Sequence, residues 1–432
     1  MEGQEGKKPS KQSKPSEPFK PSKTFILSNL SHITMNVSYI KDKGRKLHFH
    51  GLDPKKIRLD AKEKFNMKAK QDYFGASPNL FVGKFGYPNI NVGIMNVEDY
   101  QKHDEPLTWV KDKTTIPEII DLRTQLVNST FRANIKTFDN KLLEISQEIS
   151  LASKPVDVEI NLTKKPNLSL TMFDDAMPHG PKVGIKKAMI TENPKIPHQV
   201  EKAVDDIYFK ANDAVYSLYD KGFDEHYLTK VFSLANLGMK KNRKLVPTRW
   251  SITAVDDLIG KQIINEVKDF QTTDYLAYFG GYQGNYYLIL MFPEVWSYEL
   301  FEMIITEKNS FATDYESFQG RKAYAYQTAG GYYAARIAIL EKLKSMKRQS
   351  GVLVLRFINP NEYIAPLGVW ICREATRAAL ANKPIEFATK ELLLNYAKLV
   401  GSKKFGFNVS NLLDQSLLLK NMQEQSKLSA FF

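Results

Sequence analysis

Two blocks of the sequence contain an arginine that could bind an anion, together with aspartate or tyrosine side chains that could take part in chemistry. The first block, PTRWSIT at residues 247–253, precedes a predicted helix whose start carries Asp256 and Asp257. Arg249 can bind a phosphate through two N–H donors while the adjacent Trp250 ring stacks on a base. The alternative is an Arg–Asp pair that caps the helix, with Trp250 in the core.

The second block, GGYYAAR at residues 330–336, joins a predicted strand to a predicted helix. Glycines at such a junction let backbone N–H groups approach an anion, although close packing of strand and helix explains them equally well. If the two blocks line one pocket, the pocket suits an enzyme that acts on nucleic acid or a nucleotide. Its candidate catalytic residues are Arg249, Asp256, Asp257, Tyr332 and Arg336.

The last eight residues, QSKLSAFF at 425–432, have the spacing of a peptide that docks on the sliding clamp PCNA. Gln425 is followed at +3 by Leu428 and at +6 and +7 by Phe431 and Phe432. A single 3₁₀ turn brings Leu428 and Phe431 to one side, so the three apolar side chains form a plug. Gln425 offers a donor and an acceptor to a neighbouring polar pocket. The alternative is that both phenylalanines fold back onto the core.

No metal site is expected, and the sequence indicates no particular cofactor. Glu294, Glu299 and Glu302 follow an apolar strand and could hold a divalent cation or act as acid and base. Glu299 and Glu302 are neighbours at i and i+3 if this stretch is helical, but acidic residues after a strand are more often solvated. Cys372 is the only cysteine in the chain, so neither an intrachain disulfide nor a cysteine zinc site can form. A small buried side chain is the simpler interpretation of Cys372.

The apolar periodicity predicts the elements that must position these residues. Helices are predicted over residues 116–127, 134–152, 197–237 with a break at Gly222, 255–270, 331–347, 366–381 and 389–399. Strands are predicted over residues 156–162, 275–279, 286–291, 322–328 and 352–357, with several short strands between 70 and 96. The helix at 331–347 is predicted to be amphipathic.

Strands and helices are mixed without a regular β-α-β alternation, which favours an α+β fold with a mixed sheet and several packed helices. The predicted domains are a flexible basic arm at 1–24, an N-terminal α+β region at 25–240, a C-terminal α+β region at 241–410 and an extended tail at 411–432. The arm is rich in Lys, Ser and Pro and cannot bury enough apolar area to order itself.

The positive charge of the chain is unevenly placed. Residues 1–70 carry 17 Lys/Arg and seven Asp/Glu, which accounts for +10 of the net +13. Such asymmetry favours a polyanionic partner, although a solvated lysine-rich surface is the alternative. The residues predicted to contact nucleic acid are Lys55, Lys56, Arg58, Lys240, Lys241, Arg243, Lys244, Trp250 and Arg321.

No apolar run reaches the ~18 residues that a membrane span requires. The N-terminus is polar from its first residues and lacks the apolar region of a secretory signal. The sequence therefore predicts no membrane partner and a cytoplasmic location.

Four ordered blocks carry a resemblance to a known family. They are SPNLFVGKFGYPNINVG at 77–93, LVPTRWSITAVDD at 245–257, GRKAYAYQTAGGYYAAR at 320–336 and PLGVWICREATRAAL at 366–380. With the final octet, they resemble the archaeal Nre DNA-repair family over residues 75–432. The resemblance implies a role in the DNA-damage response, with repair coordinated through the sliding clamp. It implies no agreed catalytic reaction.

The chain departs from that family at its N-terminus. Many members begin with a cysteine-rich, zinc-finger-like segment, whereas this chain has a Lys/Ser/Pro arm without cysteine, so zinc is not expected. We hypothesise that the arm and residues 41–70 replace the finger as the element that contacts phosphates.

Three functions remain open from the sequence. The first is a clamp-recruited DNA-repair protein that binds DNA through a basic face and has a possible enzymatic pocket. The second is a noncatalytic adaptor that tethers another repair factor to the clamp. The third is an enzyme acting on RNA or tRNA, which leaves the octet without a purpose. A deep cleft at the two blocks favours an enzyme, whereas salt bridges buried in a packed core favour an adaptor.

Overall fold

The computed structural model describes residues 62–63, 65–67, 69–168, 179–307 and 310–424. The strands are β1 Asp72–Val82, β2 Asn89–Val97, β3 Val127–Asn134, β4 Val156–Leu162, β5 Lys182–Ile190, β6 Gln271–Thr272, β7 Tyr275–Tyr282, β8 Asn285–Phe292, β9 Ser297–Ile304, β10 Phe311–Glu316, β11 Arg348–Gln349, β12 Gly351–Ile358 and β13 Ile385–Phe387. The helices are α1 Pro106–Lys111, α2 Ile116–Gln125, α3 Lys141–Leu151, α4 His198–Asp205, α5 Ala211–Asp220, α6 Glu225–Ser233, α7 Thr248–Val267, α8 Ala329–Met346, α9 Trp370–Leu380, α10 Lys390–Phe405, α11 Ser410–Gln415 and α12 Leu417–Glu424.

The first five strands close into a barrel. Their order is β1-β2-β3-β5-β4, and β1 closes the barrel by pairing with both β2 and β4. All neighbours are antiparallel except β3 and β5, which are parallel. Alternate side chains such as Val92 and Ile160 fill the interior, and α3 adds Leu143 and Ile149 to the same core. Asn140 caps α3 by accepting a hydrogen bond from the Leu142 N–H at 2.9 Å.

A six-stranded mixed sheet, in the order β10-β9-β12-β8-β7-β13, forms the second half of the fold. Its central strands β8 and β12 are apolar on both faces because helices cover both. Tyr287 and Ile289 face the core shared with α7, α8 and α9, whereas Leu288 and Leu290 face α10, α11 and α12. This mixture of sheets and packed helices confirms the predicted α+β class.

Helix α8 differs from its predicted amphipathic character. Every residue from Gly331 to Leu340 is buried, because α7, α9 and the sheet surround this part of the helix. A polar face is retained only towards its C-terminal end, where Lys342, Lys344 and Lys347 occur. A helix buried on all sides is expected to carry small residues where others cross it closely, and Ala334, Ala335 and Ala338 fit that requirement.

Two of the local predictions that fail do so for clear physical reasons. Residues 322–328 are irregular rather than a strand, because the Asp314 carboxylate accepts hydrogen bonds from the backbone N–H groups of Gln327 and Thr328. The helix predicted from residue 134 begins only at Lys141, since β3 continues to Asn134. The predicted antiparallel pair around the turn at 280–285 is confirmed as β7 and β8.

The predicted tail contributes to the described fold up to residue 424. There α11 and α12 pack on the six-stranded sheet through Leu412, Leu413, Leu418 and Leu419. The predicted division into domains stays a prediction. Among the described residues, no helix is both long enough and apolar enough to cross a membrane.

Candidate functional site

The two sequence blocks meet where α7 packs against α8. Arg336 on α8 donates to the Asp257 carboxylate on α7 at 2.6 Å and to the Glu316 carboxylate at the end of β10 at 2.7 Å. The side chains of Arg336 and Glu316 are almost fully buried. A guanidinium at this depth is tolerated because both carboxylates lie within hydrogen-bonding distance of it.

A second buried arginine extends the cluster to α6 and α9. Arg373 on α9 contacts both oxygens of Asp256, at 2.8 and 2.9 Å, and contacts Glu225 at 2.5 Å. Burial raises the pKa of Asp256 to about 7, and Arg373 opposes that shift only in part. Burial alone would raise the pKa of Glu225 as well. The positive charges of Arg373 and Arg377 outweigh burial, so the pKa of Glu225 lies below its ordinary value.

Arg377 completes the cluster one helical turn after Arg373. Its guanidinium contacts Glu341 at 2.7 Å, Glu374 at 2.6 Å and Glu225 at 2.9 Å. We call Arg336, Arg373 and Arg377 with their six carboxylate partners the helix-core charge network; the partners are Asp256, Asp257, Glu225, Glu316, Glu341 and Glu374. Three guanidiniums among six carboxylates leave no surplus of positive charge for a phosphate.

Tyr332 is part of the same interior. Its ring lies 4.8 Å from the Tyr298 ring and 5.6 Å from the Arg336 guanidinium. Burial raises the pKa of Tyr332 well above its ordinary value, and within the described residues its hydroxyl has no hydrogen-bond partner. The structure therefore buries Asp256, Tyr332 and Arg336, and it leaves Asp257 partly exposed beside Arg336.

Arg249 lies apart from the other four candidates. It is exposed at the start of α7, where the neighbouring Trp250 ring lies 6.0 Å from the Tyr87 ring in the β1–β2 loop. The Thr248 hydroxyl accepts a hydrogen bond from the Val82 N–H at 2.8 Å, which fixes the start of the helix to the barrel. The PTRWSIT block thus contacts both halves of the fold.

Sequence reasoning missed several members of the helix-core charge network. Glu225, Glu316, Glu341, Arg373, Glu374 and Arg377 were given no role, although Arg373 and Arg377 are four residues apart and therefore share a helix face. That spacing was the available signal. Their partners come from distant positions, and Arg373 and Asp256 are 117 residues apart in the chain.

One trio in this network has the composition of a metal site. Ligand atoms of Glu225, His226 and Glu374 all lie within 4.8 Å of one another. However, Glu225 and Glu374 already bind the guanidiniums of Arg373 and Arg377, whose positive charge opposes a cation. Burial lowers the pKa of His226, and Arg373 lowers it further. The trio fits an ion-pair cluster better than a metal centre.

The carboxylates of β9 also have partners within the protein. Glu302 binds Arg356 at 2.5 Å on the α8 side of the sheet. Glu299, three residues earlier, lies on the opposite face because β9 is a strand, and it accepts a hydrogen bond from the Ser416 hydroxyl at 2.5 Å. Both carboxylates are buried rather than solvated, and they are not helical neighbours.

The described lysines and arginines that were predicted to contact nucleic acid divide into two groups. Lys240, Lys241 and Lys244 are exposed beside the barrel. Arg243 instead donates to the carbonyl oxygens of Gly238 and Val204, at 2.8 and 2.6 Å, and Arg321 donates to Asp314 at 2.9 Å. These two arginines stabilise the fold. Lys55, Lys56 and Arg58 lie outside the described residues.

The segment before the C-terminal octet is fixed to the sheet. Besides the Ser416 hydroxyl, the N–H groups of Leu417 and Leu418 donate to Glu299 at 3.1 and 3.0 Å, so Glu299 satisfies the start of α12. The last residue of α12 is Glu424, directly before the octet. The predicted clamp-binding residues Gln425, Leu428, Phe431 and Phe432 lie outside the described residues.

Comparison with known proteins identifies the family. The model described as "Archaeal Nre, N-terminal" matches residues 55–310, and "Archaeal Nre, C-terminal" matches residues 316–431. No solved structure matches the chain.

Three relatives cover most of the chain. DNA repair protein NreB of Archaeoglobus fulgidus is 34% identical over 83% of this chain and 92% of its own length. DNA repair protein NreA of the same organism is 39% identical over 72% of this chain and 80% of its own length. DNA repair protein NreA of Haloferax volcanii is 34% identical over 73% of this chain and 80% of its own length. With both family models matched in order along one chain, this protein belongs to the archaeal Nre family.

Proposed function

We propose that this chain is a DNA-repair protein that the sliding clamp PCNA recruits to DNA through the C-terminal octet. Its three relatives are each named a DNA repair protein, which supports the repair role. Recruitment rests on one observation, the spacing of Gln425, Leu428, Phe431 and Phe432. These are one amide and three apolar anchors at the positions that a clamp-docking peptide requires.

The position of α12 supports this proposal. Because Glu299 and the buried leucines hold α12 on the sheet, the octet starts at a fixed point on the surface of the protein. A binding peptide tethered at a fixed point loses less freedom on docking than one at the end of a long chain. The clamp would then hold the folded body at a short distance from the DNA that it encircles.

Exposed lysines supply the proposed contact with DNA. Lys240, Lys241 and Lys244 project from the segment that links α6 to α7, and Arg249 is exposed nearby. Such side chains neutralise phosphates and release counterions, which provides affinity without sequence preference.

A noncatalytic adaptor is the second candidate function, and the helix-core charge network favours it. The proposed catalytic residues Asp256, Asp257 and Arg336 bind partners within the protein, and Tyr332 is fully buried. We propose that these four side chains stabilise the packing of α6 to α9. In that case the clamp-recruited protein positions another repair factor rather than performing chemistry at this cluster.

Titration calorimetry with the cognate clamp tests recruitment. The triple substitution of Leu428, Phe431 and Phe432 to Ala is expected to abolish binding, because all three anchors of the plug are lost. Ser429→Ala is the matched control, since it changes the same octet at a position between the anchors and should leave the affinity unchanged. Circular dichroism confirms that each variant folds. Unchanged affinity of the triple variant would refute recruitment through the octet.

A further inference from the structure

The barrel has the topology of a known class of nucleic-acid-binding module. Its strand order β1-β2-β3-β5-β4, the parallel β3–β5 pair and the position of α3 between β3 and β4 are those of an OB-fold. In such barrels the ligand contacts the face of strands 2 and 3 and the loop between strands 1 and 2. Topology alone does not show a function, so the chemistry at that location decides.

The β1–β2 loop at residues 83–88 presents aromatic rings to solvent. The Phe85 side chain is 77% exposed and that of Tyr87 is 48% exposed. Gly86 has φ +84°, and a Cβ there would lie 2.9 Å from Nη2 of Arg132 on β3, so glycine lets the turn form against this guanidinium. Aromatic area exposed to this extent at a loop tip is typical of a binding surface.

Backbone contacts join this loop to the segment that precedes α7. The Ile135 N–H donates to the Pro88 carbonyl at 3.0 Å, and the Leu245 N–H donates to the Ile135 carbonyl at 2.9 Å. The Trp250 and Tyr87 rings lie 6.0 Å apart. Residues 83–91, 130–136 and 240–250 therefore form one continuous region, which we call the barrel-tip surface.

The barrel-tip surface is basic without any acidic residue. Its three segments contain eight Lys/Arg and no Asp/Glu, namely Lys84, Arg132, Lys136, Lys240, Lys241, Arg243, Lys244 and Arg249. Six of these are exposed, and only Lys84 and Arg243 are partly buried. Arg132 donates to the Asn89 carbonyl at 2.6 Å, which leaves other N–H donors of its guanidinium available. A surface with exposed rings and one sign of charge complements a strand of unpaired bases on a phosphate backbone.

We propose that the barrel-tip surface binds single-stranded DNA, with Phe85 and Tyr87 stacking on bases while Arg132, Lys136 and Arg249 contact phosphates. Rings at a loop tip can stack only on bases that are not already stacked in a duplex, which favours the single strand. The choice of DNA rests on the proposed repair function. The site adds Phe85, Tyr87, Arg132 and Lys136 to the predicted nucleic-acid contacts, and it includes Trp250, which the sequence already predicts to contact nucleic acid.

Fluorescence anisotropy with the full-length protein and a labelled poly-dT oligonucleotide of about 20 nucleotides tests the proposal. The double variant Phe85→Ala/Tyr87→Ala is expected to bind about tenfold or more weakly, with its salt dependence unchanged, because stacking rather than charge is lost. Arg132→Gln is expected to reduce the salt slope by about 0.7, the contribution of one phosphate on a single strand. Phe74→Ala is the matched control, since Phe74 is 63% exposed on the same barrel but lies opposite Glu159 of β4.

The outcomes separate this proposal from the proposed recruitment. Equal affinity of the double variant and the wild type, or an equal loss in Phe74→Ala, would overturn the barrel-tip site. Duplex DNA bound as tightly as poly-dT would overturn the preference for single strands, and tighter binding of the matching RNA would overturn the choice of DNA. Clamp titration of the double variant should match the wild type. If the wild type does not bind the clamp, recruitment is wrong. The barrel-tip site nevertheless stands if the wild type binds poly-dT and the Phe85→Ala/Tyr87→Ala variant binds it more weakly.

Discussion

Arg336 joins the two sequence blocks by donating to Asp257 across 2.6 Å, between α7 and α8. The blocks are 79 residues apart at this contact, yet they meet through one guanidinium. On its other side Arg336 donates to Glu316, which ties both helices to the edge of the six-stranded sheet. The first effect of changing Arg336 should therefore be on the stability of the fold.

Replacing Arg336 by Met is expected to lower the free energy of unfolding by about 3–5 kcal/mol, because Glu316 is left as a buried charge without its partner. Urea denaturation measures the change. Adding Glu316→Gln to Arg336→Met should restore part of the loss, since the orphaned charge is removed. Arg249→Ala, an exposed change in the first block, should stay within about 0.5 kcal/mol of the wild type. An unchanged urea midpoint for Arg336→Met would contradict the role of the pair.

Asp256 should make stability depend on pH in an unusual direction. Burial raises the pKa of Asp256 to about 7, whereas an unfolded aspartate has a pKa of about 3.9. Between these values the folded chain holds a proton that the unfolded chain has released. The contribution of Asp256 is therefore most favourable below about pH 4 and is lost as the pH rises towards 7, with a slope of up to about 1.4 kcal/mol per pH unit.

Urea unfolding of the wild type and Asp256→Asn between pH 4 and 8 checks this prediction. Asparagine does not titrate, so the difference between the two free energies of unfolding isolates Asp256 from the other carboxylates. The wild type should lose stability relative to Asp256→Asn as the pH rises. A difference that is constant with pH, or one that grows in favour of the wild type, would show that Arg373 outweighs burial.

Local features of this fold were visible in the sequence. The β7–β8 pair was predicted from two apolar runs around the turn at 280–285, because a hairpin is specified by neighbouring residues. Helix α9 was placed within a few residues of its bounds for the same reason. The family resemblance rested on ordered blocks and needed no long-range contact.

Long-range features could not be predicted. Closure of the barrel depends on β1 pairing with β4 and on β3 pairing with β5, which no local pattern specifies. The periodicity of α8 indicated one apolar face, but coverage by α7, α9 and the sheet buries the other faces too. Asp256 suggested chemistry in isolation and Arg373 was given no role, because nothing in the sequence indicates that these two side chains, 117 residues apart, contact each other.

Glu299 should govern the attachment of α12 without governing clamp affinity. Glu299→Ala removes the acceptor of the Ser416 hydroxyl and of the Leu417 and Leu418 N–H groups, so hydrogen exchange at those amides should accelerate. Affinity for the clamp should fall only slightly, because the octet itself is intact and the buried leucines still hold α12 on the sheet. The control is Glu386→Ala, an exposed glutamate on β13. Unchanged exchange at Leu417 and Leu418 would show that the buried leucines hold α12 alone.

The exposed lysines before α7 should contribute to DNA affinity through charge alone. Replacing Lys240, Lys241 and Lys244 together by Ala is expected to weaken binding of duplex DNA equally for all sequences. The slope of log affinity against log salt should fall by about 0.9 for each phosphate contact that is lost. A matched variant with Lys383, Lys398 and Lys403 replaced removes the same charge from an exposed region around α10.

Arg243 lies in the same basic run but should behave differently. Because its guanidinium donates to the carbonyls of Gly238 and Val204, Arg243→Ala is expected to lower the free energy of unfolding by about 1–3 kcal/mol through two unsatisfied carbonyls. Its effect on the salt slope should be smaller than that of one exposed lysine. Anisotropy titrations at several salt concentrations, with urea denaturation of the same samples, distinguish the two roles.

The same titrations include the control variant with Lys383, Lys398 and Lys403 replaced. If that control lost as much affinity as the variant with Lys240, Lys241 and Lys244 replaced, net charge rather than location would explain the binding, and the DNA-contacting role of the segment before α7 would fail.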